Sequence, residues 1–522
     1  MKYIGINIGP VVKTLSLARR PRELWAASYL FSYLMKCIVG AARKHGSVIA
    51  PVMTDDEKSL KVGLYPDRLY MKPDNQDDAS MAGDILEEAW LSFRDSVYTG
   101  VSQQEESDEP VDVRGNWLYK EYFNLMHTSC EADTEVDAVK KLNRQLDLLE
   151  LCVMASNTDK KSDPQDQVMR LMQRTSNSSL FYIATGEKDF PVESLAEIAA
   201  ARLNPKLDPD RSEADWAEFV RKAKDEDDKD NPYSVFKGDH KSYHRYFCVV
   251  QADGDNMGKT LTDLNLKDGS INKISSALLD FGKDAVSRIR DFGGMPVYAG
   301  GDDLLFLAPV AGKGGKHIFD LLDSLDSDSF GAVRRACAEA LPSLNDEDMP
   351  SLSFGVSINF YKHPLYEALE SARDLLFGVA KNVDGKRKKA IAWKLEKHSG
   401  ESFEAGFSRK YESLDKAFRH VVDVTRNGQT VTQAIHKSRI NWKLLTMCLK
   451  SGNQSRLDSF FKTVLEETSS DKKYFDAIKS LMTELFAVKA PNEDRQMMEY
   501  AENLYSMLRI AKFIKGEDLK DE

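Results

Sequence analysis

Apolar and polar positions follow a regular order between residues 246 and 395. Apolar runs of strand length alternate with longer stretches in which apolar residues recur at helical spacing. The predicted strands are 246–251, the two arms of a hairpin at 295–309, 351–360 and 390–395, and the predicted helices are 271–292, 316–340 and 365–380. This β-α-β-β-α-β-α-β order predicts a ferredoxin-like core with an extra terminal unit. In that topology we expect the first strand to lie beside the first strand of the hairpin.

The hairpin carries two carboxylates at its tip. Gly300 and Gly301 supply the positive φ angles that a tight turn needs, and Asp302 and Asp303 follow them. Two unit charges about 4 Å apart repel by roughly 4 kcal/mol at an effective dielectric constant near 20. A divalent cation would reverse this repulsion, so the tip is a candidate metal site. Because glycine and aspartate are also ordinary turn residues, a plain turn is the alternative at this point.

The first predicted strand also ends in acidic residues, Asp253 and Asp255. Carboxylates at the exit of a buried strand are held rigidly, and hard oxygen ligands suit Mg²⁺ or Mn²⁺. Lys259 lies just beyond them as a counter-charge for phosphate. Between Asp255 and Lys259 lie Asn256, Met257 and Gly258, whose backbone amides could bind phosphate oxygens. For this segment alone, a strand followed by an Asx-type turn is the alternative interpretation.

The predicted strand order can bring the two acidic pairs to one edge of the sheet. Asp253 and Asp255 leave the first strand there, and Asp302 and Asp303 lie at the hairpin tip. A nucleotide-binding palm built in this way holds metal ions that bridge triphosphate oxygens and stabilise the attacking and leaving oxygens. The two aspartate pairs in this order indicate a nucleotide-binding palm far more specifically than either pair does alone.

Two segments around these aspartates resemble a known family. ADGDNMGKTL at 252–261 and YAGGDDLLF at 298–306 resemble the palm of the large polymerase/cyclase subunit of type III-B (Cmr) CRISPR effector complexes, and more distantly GGDEF diguanylate cyclases. Four further segments resemble the same family: IGINIGPVVKTLSLARRPRELWAASYLFSYLM from residue 4, SVIAPVM at 47–53, FPVESLAEIA at 190–199 and AKNVDGKRKKAIAWKLEKHSG at 380–400. The resemblance extends across residues 1–400, and the C-terminal part matches only in being helical.

The resemblance implies a reaction and a set of site residues. Members of this family convert ATP to 3′–5′ linked oligoadenylates, usually cyclic, when their complex has bound target RNA. By motif, Asp253, Asp302 and Asp303 would be ligands of Mg²⁺ or Mn²⁺, and one of the last two would help to activate the ribose 3′-hydroxyl. The residues implied to bind the nucleotide are Asp255, Asn256, Met257, Gly258, Lys259, Gly300, Gly301, Lys397, which would contact the triphosphate, and Ser399, which would face the base. For the basic cluster before Lys397, a solvated loop is the alternative.

The resemblance also implies partners. They are ATP, the other subunits of the type III-B complex, and guide and target RNA bound through that complex. The net charge of −11 and the pI near 5.5 are a poor fit for a stand-alone RNA binder. We therefore expect an acidic subunit whose neighbours bind the guide RNA. No run approaches the roughly 20 apolar residues that a membrane span needs, so no membrane partner is expected.

Two features depart from many members of the family. The chain begins at the first palm-like strand and has no His-Asp dipeptide, so DNA cleavage by an HD nuclease domain is not expected. The cysteines, at positions 37, 130, 152, 248, 337 and 448, form no C-x-x-C pair, so structural zinc is not expected. Scattered cysteines without a signal-peptide pattern indicate a reducing cytoplasm.

We expect an α+β chain with two ferredoxin-like, nucleotidyl-cyclase palm domains, a helical insertion and a C-terminal helical bundle. The predicted units are a first palm-like domain without a GGDD motif at 1–85 and 180–223, a helical insertion at 86–179, an acidic linker at 224–240, a catalytic palm at 241–404 and a C-terminal helical domain at 405–522. Acidic stretches at 102–112 and 224–231 are interpreted as solvated loops. The C-terminal helices either dock a partner subunit or bury their apolar faces against one another.

Together these features predict a metal-dependent nucleotidyltransferase that makes a 3′–5′ oligoadenylate second messenger from ATP. One alternative keeps the palm but transfers AMP from ATP to another small metabolite, such as S-adenosylmethionine, because only the acceptor pocket would differ. A second alternative is a catalytically inactive scaffold, and the intact D-x-D and GGDD pairs argue against it.

Overall fold

The structure is a computed structural model, which describes residues 1–54, 60, 62–76, 80–102, 122–151, 194–224, 231–263, 265–386, 388–426, 428–489 and 494–516. Several predicted features lie wholly or mostly outside the described residues. They are the acidic stretches within 102–112 and 224–231, the parts of the helical insertion at 103–121 and 152–179, the segment 180–193 of the first palm-like domain, and Cys152.

An N-terminal unit is built on a four-stranded antiparallel sheet. Its elements are β1 (Lys2–Asn7), α1 (Val11–Leu15), α2 (Pro21–Ala42), β2 (Gly46–Ala50), β3 (Arg68–Pro73), α3 (Met81–Ser102), β4 (Met126–Glu131) and α4 (Glu135–Glu150). The strand order β2-β3-β1-β4, with helices crossing between β1 and β2 and between β3 and β4, is that of a ferredoxin-like fold. This part of the predicted fold class is confirmed.

Strand β4 lies within residues 86–179, for which the sequence predicted a helical insertion. Its sequence, MHTSCE, alternates between partly buried and exposed positions and contains no apolar run, so the hydrophobic pattern does not reveal it. It pairs with β1 along its whole length. The backbone groups that β1 would otherwise leave unpaired explain why so polar a segment forms a strand. The helix that follows, α4, begins after Thr134, whose hydroxyl accepts the Asp137 N–H.

Helix α2 is the most apolar helix of the N-terminal unit. Among the described residues it is the one helix that is long and apolar enough to cross a membrane by length and composition. However, 72% of its most apolar window is buried inside the protein, which is typical of a core helix in a globular unit. One face packs on α3, and Ser28 reaches the second sheet, where its hydroxyl donates to the Val297 carbonyl over 2.9 Å.

The second unit carries a six-stranded sheet. Two helices and three 3₁₀ turns lead into it: α5 (Leu195–Ala199), Ala201–Leu203, α6 (Glu213–Lys224), Pro232–Phe236 and Ser242–Arg245. Its strands are β5 (Tyr246–Asp255), β6 (Met295–Gly300), β7 (Asp303–Pro309), β8 (Ser351–Phe360), β9 (Ala390–Glu396) and β10 (Ser402–Ser408). Its helices are α7 (Met257–Leu261), α8 (Ser270–Phe292), α9 (Ile318–Ser324), α10 (Gly331–Ala340), α11 (Leu365–Asp374) and α12 (Val383–Lys386), with a 3₁₀ turn at Lys313–Gly315 and π-helical turns at Leu325–Ser329 and Leu375–Ala380.

The strand order of this sheet is β10-β9-β8-β5-β7-β6. Strands β8 and β9 are parallel, and all other neighbours are antiparallel. The four strands from β5 to β8 again follow the ferredoxin-like order, and β9 and β10 extend it. The second predicted ferredoxin-like core is therefore confirmed.

The sheet corrects one predicted neighbour relation. The prediction placed β5 beside β6, the first strand of the hairpin, whereas β5 pairs with β7, the second strand, and β6 forms the edge. The reason is the right-handed crossover through α8, which leaves room for one strand between β5 and β6. The return strand of the hairpin fills that space.

The N-terminal unit covers the free edge of the second sheet. Gly63 forms a parallel bridge with Tyr298 on β6, and the Ala299 N–H donates to the Gly63 carbonyl over 2.8 Å. A Cβ on Gly63 would lie 2.8 Å from the Ser28 hydroxyl oxygen, so only glycine lets this segment lie so close to α2. The edge that β6 would otherwise expose is thus closed by backbone of the other unit.

The C-terminal part is helical, as predicted. Its elements are α13 (Glu412–Val424), α14 (Gln429–Ile440), α15 (Trp442–Lys450), α16 (Gln454–Thr463), a 3₁₀ turn at Ser469–Asp471, α17 (Lys472–Lys489) and α18 (Asp494–Ile514). Helix α18 packs on β10, α13 packs on α17, and their apolar faces belong to the same buried core as the second sheet. The boundary predicted at residue 404 lies inside β10, which completes the sheet before these helices begin.

Candidate active site

Strand pairing brings both aspartate pairs to one edge of the second sheet. Asp253 and Asp255 lie at the end of β5, and the register of β5 against β7 places this end beside the hairpin turn. Asp302 lies in the turn between β6 and β7, and Asp303 is the first residue of β7. The edge therefore carries four carboxylates from two backbone segments, each held by the end of a strand.

Two glycines allow this close approach. Gly301 in the hairpin turn has a φ of 65°, a left-handed conformation that favours glycine. Gly254 lies between the two β5 aspartates, and a Cβ at this position would overlap Oδ2 of Asp302 and lie 2.6 Å from the Cβ of Asp302. The Asp302 side chain thus packs against bare backbone of β5, and Gly254 decides how closely it can approach.

The carboxylates crowd one another. Burial, followed by the charge of Asp253, raises the pKa of Asp302 to about 7. The Asp303 side chain is exposed at the surface, yet desolvation by the surrounding protein raises its pKa well above the usual value, and the charges of Asp302 and Asp253 and a side-chain hydrogen bond with Asp253 act in the same direction. Without a cation, this edge favours shared protons over full ionisation. A bound divalent cation is the kind of charge that relieves such crowding.

Lys381, which follows the second π-helical turn, balances the charge of the β5 aspartates. Its Nζ contacts the Asp253 carboxylate and donates to the Asp253 carbonyl over 3.1 Å and to Oδ1 of Asp255 over 2.7 Å. Burial acts to lower the pKa of Lys381, but the charges of Asp255 and Asp253 outweigh it and raise the pKa. The sequence prediction missed this residue because its partners lie 128 and 126 residues earlier. The one available signal was its place at the start of the basic run after residue 380.

Asp255 is held by the protein itself, and its contact with the nucleotide stays a prediction. It is fully buried, and its Oδ2 accepts the hydroxyls of Ser351 and Ser353 over 2.9 and 2.8 Å and the Lys389 N–H over 2.8 Å. Because Lys381 occupies Oδ1, both oxygens are used. Asp255 therefore anchors the beginnings of β8 and β9 to the end of β5.

The residues after β5 form a short turn of helix at the same edge. Asn256 has a left-handed φ of 64° and precedes α7. The side chain of Met257 is buried, whereas a Cβ on Gly258 would meet nothing within 4 Å. Lys259 is exposed and forms an ion pair with Asp348 over 2.7 Å. These four predicted nucleotide-binding residues thus lie beside the aspartates, with the Lys259 charge already paired.

Lys397 and Ser399 lie at the wrong end of the sheet for their predicted roles. Strand β9 runs antiparallel to β5, so the turn after β9 lies where β5 begins. There the His398 N–H donates to the Tyr246 hydroxyl over 3.2 Å. Tyr246 begins β5 and Asp253 lies near its end, about 23 Å away at the rise of an extended strand. The prediction that Lys397 contacts the triphosphate and Ser399 the base of the same nucleotide is therefore corrected.

A cavity of about 450 Å³ opens beside the aspartates, between the two units. Asp303 and Tyr298 form its border with the hairpin. The N-terminal unit forms one wall, and α11 with the following turn forms the other. The polar and aromatic lining residues include Tyr65 and Asp67 on the first side and Tyr366, Glu370, Arg373 and Phe377 on the second. This volume, with a largely apolar lining and few polar groups, is typical of a small-molecule site.

Three charged residues of the cavity bear on what it can bind. Arg373 and Glu370 make no hydrogen bond or ion pair within the part of the chain that the structure describes. Burial raises the pKa of Asp67 against the opposing charge of Arg68, and Asp67 adds to the negative potential at Asp303. Sequence patterns did not predict this cavity, because its walls come from separated segments that meet only when the two units dock.

The described ranges contain no group of three or more His, Cys, Asp or Glu side chains spaced to hold a metal ion. The predicted set, Asp253, Asp302 and Asp303, nevertheless offers the oxygen donors that Mg²⁺ and Mn²⁺ prefer. It also shows the crowding of negative charge that raises the pKa values of the last two. The three aspartates are therefore donors of the chemical kind that suits a divalent cation, but they are not spaced to hold one here, and Lys381 occupies the Asp253 carboxylate.

Two protein-family models match the chain. The model described as Cas10/Cmr2, second palm domain, matches residues 246–392. The model described as CRISPR-associated protein Cmr2, N-terminal, matches residues 3–96. The first match contains both aspartate pairs, and the second covers β1 to β3 and most of α3.

One curated protein and two solved structures are reported as similar to the chain. The chain is 32% identical over 182 residues to the CRISPR system Cmr subunit Cmr2 of Pyrococcus furiosus, a match that covers 30% of this chain and only 19% of that protein. It resembles a chain of type III-B Cmr-beta bound to cognate target RNA, with a TM-score of 0.53 and 12% identity over 89% of this chain and 78% of the other. The apo state of Cmr-beta matches with a TM-score of 0.49 and 12% identity over 78% of this chain and 70% of the other.

The two family models follow one another in the order of the two ferredoxin-like units, and the Cmr2 relative belongs to the same family. The aspartate edge lies within the second palm match. The chain is therefore similar to Cmr2 proteins in two places, with a Cmr2 N-terminal match at residues 3–96 and a Cas10/Cmr2 second-palm match at residues 246–392.

Proposed function

We propose that this chain is a nucleotidyltransferase that makes a 3′–5′ linked oligoadenylate from ATP when its complex has bound target RNA. The observation that carries the proposal is the convergence of Asp253, Asp302 and Asp303 at one edge of the sheet, where Asp303 borders a cavity of about 450 Å³. Carboxylates crowded to this degree are unfavourable without a positively charged ligand. The adjoining cavity offers the nucleotide part of such a ligand a place to bind.

The three aspartates would hold Mg²⁺ or Mn²⁺. When bound, the ion supplies charge neutralisation at the triphosphate and makes a nearby hydroxyl a better nucleophile. The chain's own residues position the nucleotides: Lys381 keeps a positive charge beside Asp253, and the bare backbone at Gly254 keeps Asp302 close to β5. In the reaction, the 3′-oxygen of one nucleotide attacks the α-phosphate of another, the α–β phosphoanhydride bond breaks, and pyrophosphate leaves with the proton released to solvent.

The cavity would hold the nucleoside part of ATP, with the phosphates towards the aspartate edge. Tyr366 and Phe377 present exposed aromatic surface at the cavity, on which a base can stack. Arg373, which has no partner among the described residues, would pair with a phosphate.

An acceptor of AMP other than a second nucleotide should also be tested, because the cavity wall is partly acidic. Asp67 and Glu370 lie among the rings of Tyr65, Tyr366 and Phe377. Acidic and aromatic side chains together favour a cationic ligand. This combination supports the alternative in which AMP is transferred from ATP to a cationic metabolite such as S-adenosylmethionine.

We further propose that the chain works in the cytoplasm with other subunits of a type III-B complex and with guide and target RNA. This proposal rests on the two Cmr2 family-model matches and on the similarity to Cmr2 of Pyrococcus furiosus. That similarity covers 19% of the Pyrococcus furiosus protein. The net charge of −11 suits a subunit that leaves most RNA contacts to its neighbours.

The experiment supplies the purified complex with target RNA, labelled ATP, Mg²⁺ or Mn²⁺ and a panel of metabolites, and identifies the products by mass spectrometry. We expect adenylate products from the unaltered complex and none from the double variant Asp302→Ala with Asp303→Ala. Asp280→Ala is the matched control, because it removes an exposed acid from α8. Products that appear only with one metabolite would favour the second acceptor. No product under any condition would favour an inactive scaffold.

A further inference from the structure

The hydrogen-bond network around Asp255 continues towards the C-terminal helices. The Lys389 N–H donates to Asp255, and the Lys389 carbonyl accepts the Arg409 N–H over 2.9 Å. The neighbouring Lys388 carbonyl accepts the Ser408 hydroxyl over 2.6 Å. Hydrogen bonds therefore lead without interruption from the end of β10 to the anchor of the active site.

Lys388 and Lys389 share an unusual backbone conformation. Their φ angles are 66° and 47°, so both are left-handed. Such conformations are strained for residues with a side chain and persist only where the surroundings hold them in place. Asp255 holds this left-handed lysine pair on one side, and Ser408 with Arg409 holds it on the other. Because β9 begins at the next residue, the pair sets how β9 enters the sheet.

Arg409 is the centre of a buried group of charges behind the left-handed lysine pair. It is 5% exposed, and its Nη1 lies 3.2 Å from Oδ1 of Asp323 and its Nη2 3.5 Å from Oδ2 of Asp326. Its Nη2 also donates to the Leu352 carbonyl over 3.2 Å. Asp326 is 2% exposed, accepts the Leu352 N–H over 3.1 Å and pairs with Arg334 over 3.1 Å. These charges lie where β8 begins, next to the serines that hold Asp255.

We propose that Arg409 and Asp326 are positioning residues of the active site, which act through the left-handed lysine pair on Asp255 and so on Asp253. The inference rests on the proposed function. Asp253 and Asp255 share the ammonium group of Lys381, so a shift of Asp255 changes how much of that charge remains on Asp253. The side chain of the second lysine adds a direct link, since its Nζ lies 3.8 Å from Oδ2 of Asp326.

The same group of charges reaches the C-terminal helices. Arg419 on α13 forms a two-point ion pair with Asp323, the residue that also pairs with Arg409. A displacement of α13 therefore acts on Arg409 and, through the left-handed lysine pair, on the aspartate edge. A contiguous network of this kind is the physical means by which a partner bound to the C-terminal helices would change the active site.

A purely structural role makes a different prediction. Breaking a buried ion pair lowers stability wherever the pair lies. Only a positioning role also changes the metal affinity of the distant aspartates, and lowers kcat without raising KM for ATP. Residues that orient metal ligands through hydrogen bonds typically change metal affinity or activity by roughly 10- to 100-fold when replaced.

The test uses the assembled complex and two variants of different kinds. Asp326→Asn keeps the shape and one acceptor but removes the charge, and Arg409→Lys keeps the charge but loses the planar fork. Arg439→Gln is the matched control, because it breaks an ion pair with Glu502 within the C-terminal helices. Mn²⁺ binding is measured by electron paramagnetic resonance without nucleotide, and kcat and KM are measured with target RNA and ATP.

We expect Asp326→Asn to weaken Mn²⁺ binding and to lower kcat, each by roughly 10- to 100-fold, with KM for ATP unchanged. Arg409→Lys should show a smaller effect of the same kind, and the Arg439→Gln control should match the unaltered complex. An Asp326→Asn complex with unchanged Mn²⁺ affinity and kcat overturns the proposal. If the Asp326→Asn complex does not assemble, Mn²⁺ affinity is measured in Arg419→Gln, which alters the same group of charges at α13. Unchanged Mn²⁺ affinity in Arg419→Gln overturns the proposal.

The two readouts separate this inference from the proposed function. If the unaltered complex binds Mn²⁺ but forms no product, the proposed function fails and the comparison of Mn²⁺ affinities alone decides the positioning role. If the unaltered complex binds no Mn²⁺, both are overturned.

Discussion

Replacing Gly254 by alanine tests whether the active site needs Asp302 to lie against β5. The added Cβ would lie 2.6 Å from the Cβ of Asp302 and 2.8 Å from the Cγ of Met257. Gly254 is not among the glycines with positive φ, so alanine suits its backbone and the effect is steric. The perturbation is therefore one methyl group inserted between β5 and the hairpin carboxylate.

The size of the effect follows from these distances. Carbon atoms in contact lie about 3.5–4.0 Å apart, so Asp302 must move by about 1 Å. Inserting a methylene into a packed site costs about 1–3 kcal/mol of stability. A 1 Å misplacement of a reacting group lowers the rate about 100-fold. We therefore expect Gly254→Ala to fold and assemble but to form product about 100-fold more slowly.

Gly83→Ala in α3 of the N-terminal unit is the matched control. Its Cβ would meet nothing within 4 Å, and alanine in place of glycine in a helix stabilises by about 1 kcal/mol. Product formation is followed by mass spectrometry, and the unfolding temperature is measured for both variants. Equal activity in Gly254→Ala and Gly83→Ala would refute the view that the contact between Asp302 and the β5 backbone sets the geometry of the site.

Three further predictions concern charge and position. The pKa of Asp302 is about 7 in the folded protein against about 3.9 in an unfolded chain, so the stability that its protonated form contributes is present at low pH and is lost as the pH rises through 7. In a pH series, the unfolding temperature of the metal-free protein should fall as the pH rises through 7, and it should fall less in Asp302→Asn. Mn²⁺ should restore the unfolding temperature above pH 7. An unfolding temperature that does not change with pH would contradict the raised pKa. Lys397→Ala should leave KM for ATP unchanged in steady-state assays, because Lys397 follows the distant end of β9, and a marked increase would place the nucleotide elsewhere. Arg373→Ala should weaken binding of a non-hydrolysable ATP analogue by about 10- to 150-fold in calorimetry, since a hydrogen bond to a charged group contributes about 1.5–3 kcal/mol. Unchanged affinity would exclude Arg373 from phosphate binding.

The parts of the fold that the sequence predicted correctly are those with local chemical patterns. The apolar run before Asp253 and the Gly-Gly turn before Asp302 identify a strand and a hairpin without reference to the rest of the chain. Strand β4 was missed because its stability comes from pairing with β1 and not from apolar side chains. The same applies to β10, which pairs with β9 and follows a short turn at residues 397–401.

The parts of the site that the sequence did not predict depend on distant contacts. Lys381 lies in a basic run that resembles a solvated loop, and only the folded chain brings it between Asp253 and Asp255. The prediction for Lys397 failed for a related reason. Its short motif does not reveal that β9 runs away from the aspartate edge, because strand direction is a property of the whole sheet.

The backbone bridge between Gly63 and Tyr298 has a consequence for how the cavity beside Asp303 can change. One wall of this cavity belongs to the N-terminal unit and the other to the second unit, and the bridge joins the two units beside it. The width of the cavity therefore depends on the separation of the two units. A partner subunit that displaces the N-terminal unit would open or narrow the cavity without contacting any aspartate.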